Sequence, residues 1–207
     1  MRYAISFIAG LVLGSVPFGL IIARLAKGVD IRQHGSGNIG ATNVARVVGR
    51  GAGLLTFALD VLKGVLPALV FKQFFGPNAG ILAGVGAIAG HIFSPILRFR
   101  GGKGVATSLG VFIGLAPITS GVGFVVWIAL FLAFRWVSLA SVAGALAVPT
   151  FLILARNTRL AEFTNGIMIL AVAATLAVVV RHRGNIGRLI RGREPRFSWR
   201  KDEERTG

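Results

Sequence analysis

Most side chains able to do chemistry in this chain fall in three polar, glycine-rich stretches. The first, HGSGNIGATNVAR, runs from His34 to Arg46. Gly35, Gly37 and Gly40 let the backbone turn and approach a ligand closely. Ser36, Asn38, Thr42 and Asn43 offer small neutral hydrogen-bonding groups, and Arg46 a planar fork suited to phosphate. A plain glycine-rich turn, with Thr42 or Asn43 capping the following helix, stands beside that reading. The second stretch, RFRGGKGVATSLG at 98–110, is not a Walker A loop. Leu97 stands where G-x-x-x-x-G-K-[ST] needs glycine, Gly104 where it needs Ser or Thr, and no strand precedes it. Glycine N–H groups at Gly101, Gly102 and Gly104 ahead of a helix starting near Val105 nevertheless predict an anion nest. The helix end, the Lys103 charge and Thr107 one turn in would face the anion. A basic membrane-edge anchor is the alternative, but an anchor needs no glycines. The third stretch is RHRGNIGRLIRGRE, 181–194. His182 is an acid/base candidate near neutral pH and Asn185 a neutral donor. Arg188, Arg191 and Arg193, interleaved with Leu189 and Ile190, read as an interfacial helix on anionic lipid. Gly-Asn-Ile-Gly occurs at both 37–40 and 184–187, either a repeated backbone solution to phosphate binding or chance.

The elements that must hold these stretches are membrane helices. The chain of 207 residues is 54% hydrophobic and 14% charged, with mean hydropathy +0.75. A soluble domain is nearer a quarter charged. Uncharged apolar runs of spanning length recur at Tyr3–Ala23, Gly53–Phe71, Ala79–Leu97, Val105–Pro117, Val122–Phe134, Val137–Leu154 and Phe163–Val180. The first is too long for a signal-peptide core and reads as a retained span. Pro117, Gly121 and Gly123 mark a break between the fourth and fifth. Charge selects seven spans over six. With the N-terminus outside and the C-terminus cytoplasmic, eighteen of the 23 Lys and Arg lie inside, against Arg2, Lys72, Arg156 and Arg159 outside and Lys63 within a span. Six would put the basic tail across the membrane from the 24–50 and 98–103 loops. The expected fold is therefore all-α, a polytopic integral membrane helix bundle with the three polar stretches on its cytoplasmic face. The net charge of +16 is accounted for by these span ends and membrane lipids, without nucleic acid. There are no cysteines, which removes disulfides and a Cys nucleophile. Within the spans, Asp60 and Lys63 sit at i, i+3 and are expected to form a structural pair. His91 is expected to be a buried, hydrogen-bonded histidine.

GSGNIGATNVAR (35–46), HIFSPILRFRGGKGVAT (91–107) and RHRGNIGRLIRGRE (181–194), in that order between spans, resemble the bacterial PlsY family of acyl-phosphate:glycerol-3-phosphate acyltransferases. One departure is visible: the family pattern places proline directly after H-x-F, whereas Ser94 precedes Pro95 here. The resemblance implies transfer of an acyl group from acyl phosphate to the 1-hydroxyl of glycerol 3-phosphate, giving lysophosphatidic acid and phosphate. It implies an inner-membrane enzyme with glycerol 3-phosphate, acyl phosphate and lipid as partners, acting as a monomer. Coenzyme A, ATP, metal and other cofactors are not required, because the donor is already activated. The acyltransferase domain would be 1–194, with a short tail at 195–207. By the same resemblance Ser36 and Arg46 are catalytic, together with Lys103, His182 and Asn185. Gly35, Asn38, Thr42, Asn43, Gly101, Gly102, Gly104 and Thr107 would bind substrate, and Glu194 would form a structural salt bridge with nearby arginines. The general base is either His182 or the departing phosphate itself. Ser36 as a covalent nucleophile fits poorly, since His34 and Asn38 replace the glycines of a G-x-S-x-G elbow. Membrane transport of an anionic phosphorylated solute is the competing function, with Asp60, Lys63 and His91 lining its path. A passive lipid-binding protein is a third.

Overall fold

The computed structural model describes residues 1–158, 160, 162 and 164–198. Arg159, Arg200, Lys201 and Arg205, assigned above by charge, lie outside the described residues, as does the rest of 201–207. Every regular element among the described residues is helical. The first apolar run forms α1 (Arg2–Gly14) and α2 (Phe18–Lys27), broken at Ser15–Pro17, where proline has no N–H to continue the ladder. Bare carbonyls at membrane depth require protein partners. Ser94 Oγ supplies one to Ser15 O at 2.8 Å, and Lys63 Nζ one to Val16 O at 2.8 Å. The Ser94 departure from the family pattern is thus part of the fold: it pins the 93–100 loop to the break in the first span.

After α3 (Ala41–Val47) come α4 (Arg50–Phe75) and α5 (Pro77–Ile92), joined at Gly76 with φ 89°. α1 lies parallel to α5 in close backbone contact: Gly10 meets Ala83, Gly14 meets Ala87, Gly86 meets Phe7 and Gly90 meets Leu11. Small residues four apart on both helices permit that approach, the usual solution where apolar burial cannot drive association. The bundle continues with α6 (Val105–Leu115), α7 (Pro117–Phe134), α8 (Val137–Leu154) and α9 (Asn165–Arg181), whose first turn is capped by Thr164. The polar α10 (Arg183–Ile190) leaves α9 at 60°.

Among the described residues, five helical stretches are long and apolar enough to cross a membrane, and α9 with α10 forms a sixth, bent candidate. α6, with 11 residues, is shorter than the 17–25 of an ordinary span. α7 starts at Pro117, five residues before the expected Val122. Proline is favoured in a first turn, and Gly121 and Gly123 do not break the helix. Gly123 serves instead as the point where α7 meets Gly144 of α8. At the α6–α7 corner Lys72 Nζ donates to Leu115 O at 3.0 Å, and Glu162 accepts from the N–H of Ile118. Lys72, assigned to an outer loop by charge, therefore closes the end of a helix.

The opposite end of the bundle gathers the loop before α3, the loop before α6 and the α9–α10 junction. The chain does not stop packing at Glu194. The Phe197 N–H donates to Arg135 O at 2.7 Å, and its ring lies 5.8 Å from that of Phe131. Pro195 and Phe197, placed in the tail by sequence, thus form part of the wall around this end.

Candidate active site

The loop before α3 is held from inside by Asn43. Its Oδ1 accepts the Ser36 N–H at 2.9 Å, and its Nδ2 donates to the carbonyls of Ile31, His34 and Asn38. Two protons are shared among three acceptors, so the NH2 group of this buried amide is fully used within the loop. Asn38 Oδ1 accepts from Gly40 N–H at 2.8 Å, closing the turn into the helix. Gly35 and Gly37 have φ 60° and 70°, the left-handed conformation that glycine adopts without strain. This knot leaves Ser36 and Arg46 exposed on the edge of the cleft, with Thr42 on its wall.

The loop before α6 is built differently from the anion nest predicted for it. Gly101 N–H donates to Ile92 O at 3.2 Å and Gly102 N–H to His91 O at 3.1 Å. Their carbonyls are taken by Arg181, at 2.7 Å and 3.2 Å respectively. Both glycines lie against the end of α5, Gly102 on the His91 ring, so closely that a Cβ on either would collide. Their role is to seat Lys103, not to offer N–H groups. Gly104, φ 84°, turns the chain into α6. Thr107 is wholly buried, with its backbone against Gly64, and does not reach the cleft.

Lys103 Nζ donates to Asn185 Oδ1 at 2.6 Å, and Asn185 Nδ2 donates to Glu194 Oε1 at 2.7 Å. Glu194 also accepts from Ser138 Oγ at 2.7 Å and Arg188 Nε at 2.8 Å. Burial raises the Glu194 pKa, but the hydrogen bonds from Asn185, Ser138 and Arg188 outweigh it and hold the carboxyl below its ordinary value. Arg188 therefore completes the site, whereas the sequence assigned it to lipid. Burial pulls Lys103 down to about 8; the Glu194 charge opposes the shift, and Arg188 and Arg181 add to it. His182 is buried just beyond the end of α9, with Nδ1 2.8 Å from Val178 O. A carbonyl only accepts, so Nδ1 carries the proton and Nε2 is left as the acceptor. Burial and the nearby Lys103 charge lower its pKa to about 4, so the ring is neutral at physiological pH.

The result is a cleft of about 190 Å³ that brings together Ser36, Arg46, Lys103, His182 and Asn185. It meets an apolar slot of about 80 Å³ between α6, α7, α8 and α9. Phe57, Val105, Trp127 and Ser141 line both. Residues 4–192 match the family described as glycerol-3-phosphate acyltransferase. The chain belongs to that family. It is 43% identical over 187 residues to a glycerol-3-phosphate acyltransferase of Aquifex aeolicus, covering 89% of this chain and 94% of that one. A Desulforudis audaxviator enzyme of the same name is 44% identical over 204 residues, with 96% and 98% covered. The fold is similar to that of PlsY, an integral membrane glycerol 3-phosphate acyltransferase, in its glycerol 3-phosphate form, with TM-score 0.88, 40% identity and 96% of each chain covered. The lysophosphatidic acid form gives TM-score 0.86 at 39% identity, covering 96% of this chain and 97% of that one. The protein is thus an acyltransferase of the membrane.

Several functional side chains of this acyltransferase escaped the sequence reading. Arg181 was counted with the basic rim, though it clamps the Lys103 loop. Ser138 and Trp136 sit at the start of an apolar span, yet both bond Glu194, Trp136 Nε1 through the backbone carbonyl at 3.1 Å. A serine beside an aromatic at a span end was their only signal. The repeated Gly-Asn-Ile-Gly is not one backbone solution used twice: it is a loop at 37–40 and helix at 184–187.

Proposed function

We propose that this acyltransferase moves a fatty acyl group from acyl phosphate to the 1-hydroxyl of glycerol 3-phosphate, giving lysophosphatidic acid and phosphate, the first acylation of bacterial phospholipid synthesis. The observation that carries the reading is the junction of the two chambers. A cationic, hydrogen-bonding cleft opens through Phe57, Val105, Trp127 and Ser141 into an apolar slot. A small phosphate ester suits the first and an acyl chain the second. That one similar PlsY structure is a glycerol 3-phosphate form and the other a lysophosphatidic acid form supports this acceptor and product.

In this reading Lys103 and Asn185 hold the acceptor's phosphate, and Arg46 with Ser36 the phosphate of the donor. The 1-hydroxyl oxygen attacks the acyl carbon, the bond from that carbon to the phosphate oxygen breaks, and the hydroxyl proton leaves with the phosphate. Phosphate, with a second pKa of about 6, is a better proton acceptor than an imidazole held at about 4. His182 Nε2 then serves as a hydrogen-bond acceptor that orients the substrate, and the cations stabilise the charge that develops in the transition state.

The bundle would cross the bacterial inner membrane seven times, α6 completing the count, with the N-terminus outside and the site facing the cytoplasm. It would act as a monomer whose chemistry lies in residues 1–194. Purified protein in detergent, given acyl phosphate and glycerol 3-phosphate, should release phosphate only when both are present. Uptake of a phosphorylated solute into vesicles without acyl transfer would sustain the transporter reading instead.

A further inference from the structure

In the acyl-transfer reading above, the reactive bond of the donor lies where cleft and slot join. An acyl phosphate is open to attack there by water as well as by an alcohol. The floor of the cleft is packed bundle. The Asp60 and His91 side chains are each only 4% exposed, and Asp60 is paired with Lys63 at 2.7 Å, as expected. His91 Nδ1 has no hydrogen-bond partner, contrary to the satisfied histidine expected from sequence.

The α7–α8 side is covered differently. The two helices meet there in a turn, with Arg135 in the left-handed conformation at φ 58°. Its cover is not a helix but the irregular segment from Glu194 to Phe197, just past the residues that match the family. Three contacts in succession fix that segment. Trp136 Nε1 donates to Glu194 O at 3.1 Å, the Arg196 guanidinium lies 5.4 Å from the centre of the Trp136 ring, and the Phe197 N–H donates to Arg135 O at 2.7 Å. The last bond serves a carbonyl at the end of α7, where the helix supplies no donor. The Phe197 side chain lines the cleft, and the residue is 8% exposed. Its ring lies 5.8 Å from that of Phe131, which stacks on Trp127 at 5.1 Å. Trp127 lines both chambers. The three rings form one apolar partition running from the tail to the join.

We propose that Phe197 is a water seal, an inference that rests on the acyl-transfer reading. Its ring closes the α7–α8 side of the cleft, so that an alcohol held in the cleft, and not solvent, reaches the acyl carbon. Excluding water protects a reactive group from hydrolysis. Phe197→Ala removes the ring and leaves a gap larger than the roughly 30 Å³ that one water takes up. A water oxygen then attacks the acyl carbon and the bond from that carbon to the phosphate oxygen breaks. One proton of the water leaves with the phosphate, and the other product is the free fatty acid.

The test gives purified protein in detergent one acyl phosphate donor, with and without glycerol 3-phosphate. Lysophosphatidic acid, free fatty acid and phosphate are followed and corrected for hydrolysis without enzyme. The wild type should turn most of the donor into lysophosphatidic acid when the acceptor is present, and release little phosphate when it is absent. Phe197→Ala should raise the ratio of fatty acid to lysophosphatidic acid several-fold. Phe197→Leu, which restores apolar bulk, should bring most of that ratio back. A side chain that only supported the fold would slow both products alike, and an unchanged ratio in Phe197→Ala would overturn the inference. So would a wild type that transfers acyl groups yet hydrolyses the donor as fast as it transfers them; this arm needs no variant. Failure of the wild type to acylate glycerol 3-phosphate at all would refute the acyl-transfer reading, and this one with it.

Discussion

Lys103 has one neutral partner, Asn185, and a second-sphere anion, Glu194, with Arg181 and Arg188 nearby. That environment has a consequence measurable by pH. With its pKa lowered to about 8, the ammonium is charged at pH 7 and discharges as pH rises through 8. The KM for the phosphate substrate should therefore climb above pH 8, while Lys103→Arg, charged throughout, should keep it flat. His182, at about 4, has no proton to lose between pH 5 and 8, so it contributes no acid limb to kcat there, and a limb near about 6 belongs to the phosphate and persists in His182→Asn. A limb there that His182→Asn abolishes would make His182 the base. Glu194 is the more sensitive point, since three donors converge on one carboxylate. Glu194→Gln turns one acceptor into a donor facing Asn185 Nδ2 or Arg188. Losing a charged hydrogen bond at such a site costs about 1.5–3 kcal/mol. The expected result is a loss of about ten- to a hundredfold in kcat/KM together with a lowered Tm. Retention of full activity would show that Asn185 and Lys103 do not depend on it.

The elements show which parts of the design are rigid. The Gly101–Gly102 turn is clamped from below by the end of α5 and from above by Arg181, and its N–H groups are already used. A substitution there moves Lys103; it does not remove a ligand contact. Gly101→Ala should lower kcat/KM for both substrates, since its Cβ would meet the carbonyls of His91 and Ile92. A rise confined to the KM for glycerol 3-phosphate is what an anion nest would give, and would restore that reading. The α1–α5 contact is purely structural by comparison. Gly86→Leu forces the helices apart, so it should cost about 1–3 kcal/mol, read as a fall in Tm with KM unchanged. The spans were legible in the sequence because hydropathy over some twenty residues reports burial in lipid directly. The nest was misread for a physical reason. Whether a glycine N–H is free depends on the carbonyls of residues 91 and 92, which local sequence places before the loop but not under it.

At the scale of the molecule, three loops from distant parts of the chain meet at one end of the bundle, and clustered basic residues plus family motifs sufficed to foresee that meeting. What sequence did not give is the join between the two chambers, because Phe57, Val105, Trp127 and Ser141 look like ordinary span residues until the helices are packed. The slot descends from Trp127 and Ser141 at its mouth to Ser120 and Val148. Seven residues of helix at 1.5 Å each set its depth at about 10 Å. Its walls are apolar side chains and serine or threonine hydroxyls; Ser120 and Thr175 donate to helix carbonyls. A slot of this depth accepts the first part of an acyl chain and must release the rest between helices into lipid. Ala174, buried and on the slot wall well below the mouth, is where added bulk would shorten it. Ala174→Leu should leave short-chain acyl phosphates close to wild-type rates and reduce long-chain ones by about tenfold, the effect of losing roughly 1.4 kcal/mol of apolar contact, or about two methylene groups. Equal loss across all chain lengths would mean that the side chain disturbs the bundle and not the channel. An unchanged profile would place the acyl chain outside the slot, along the lipid-facing surface of α7 and α8.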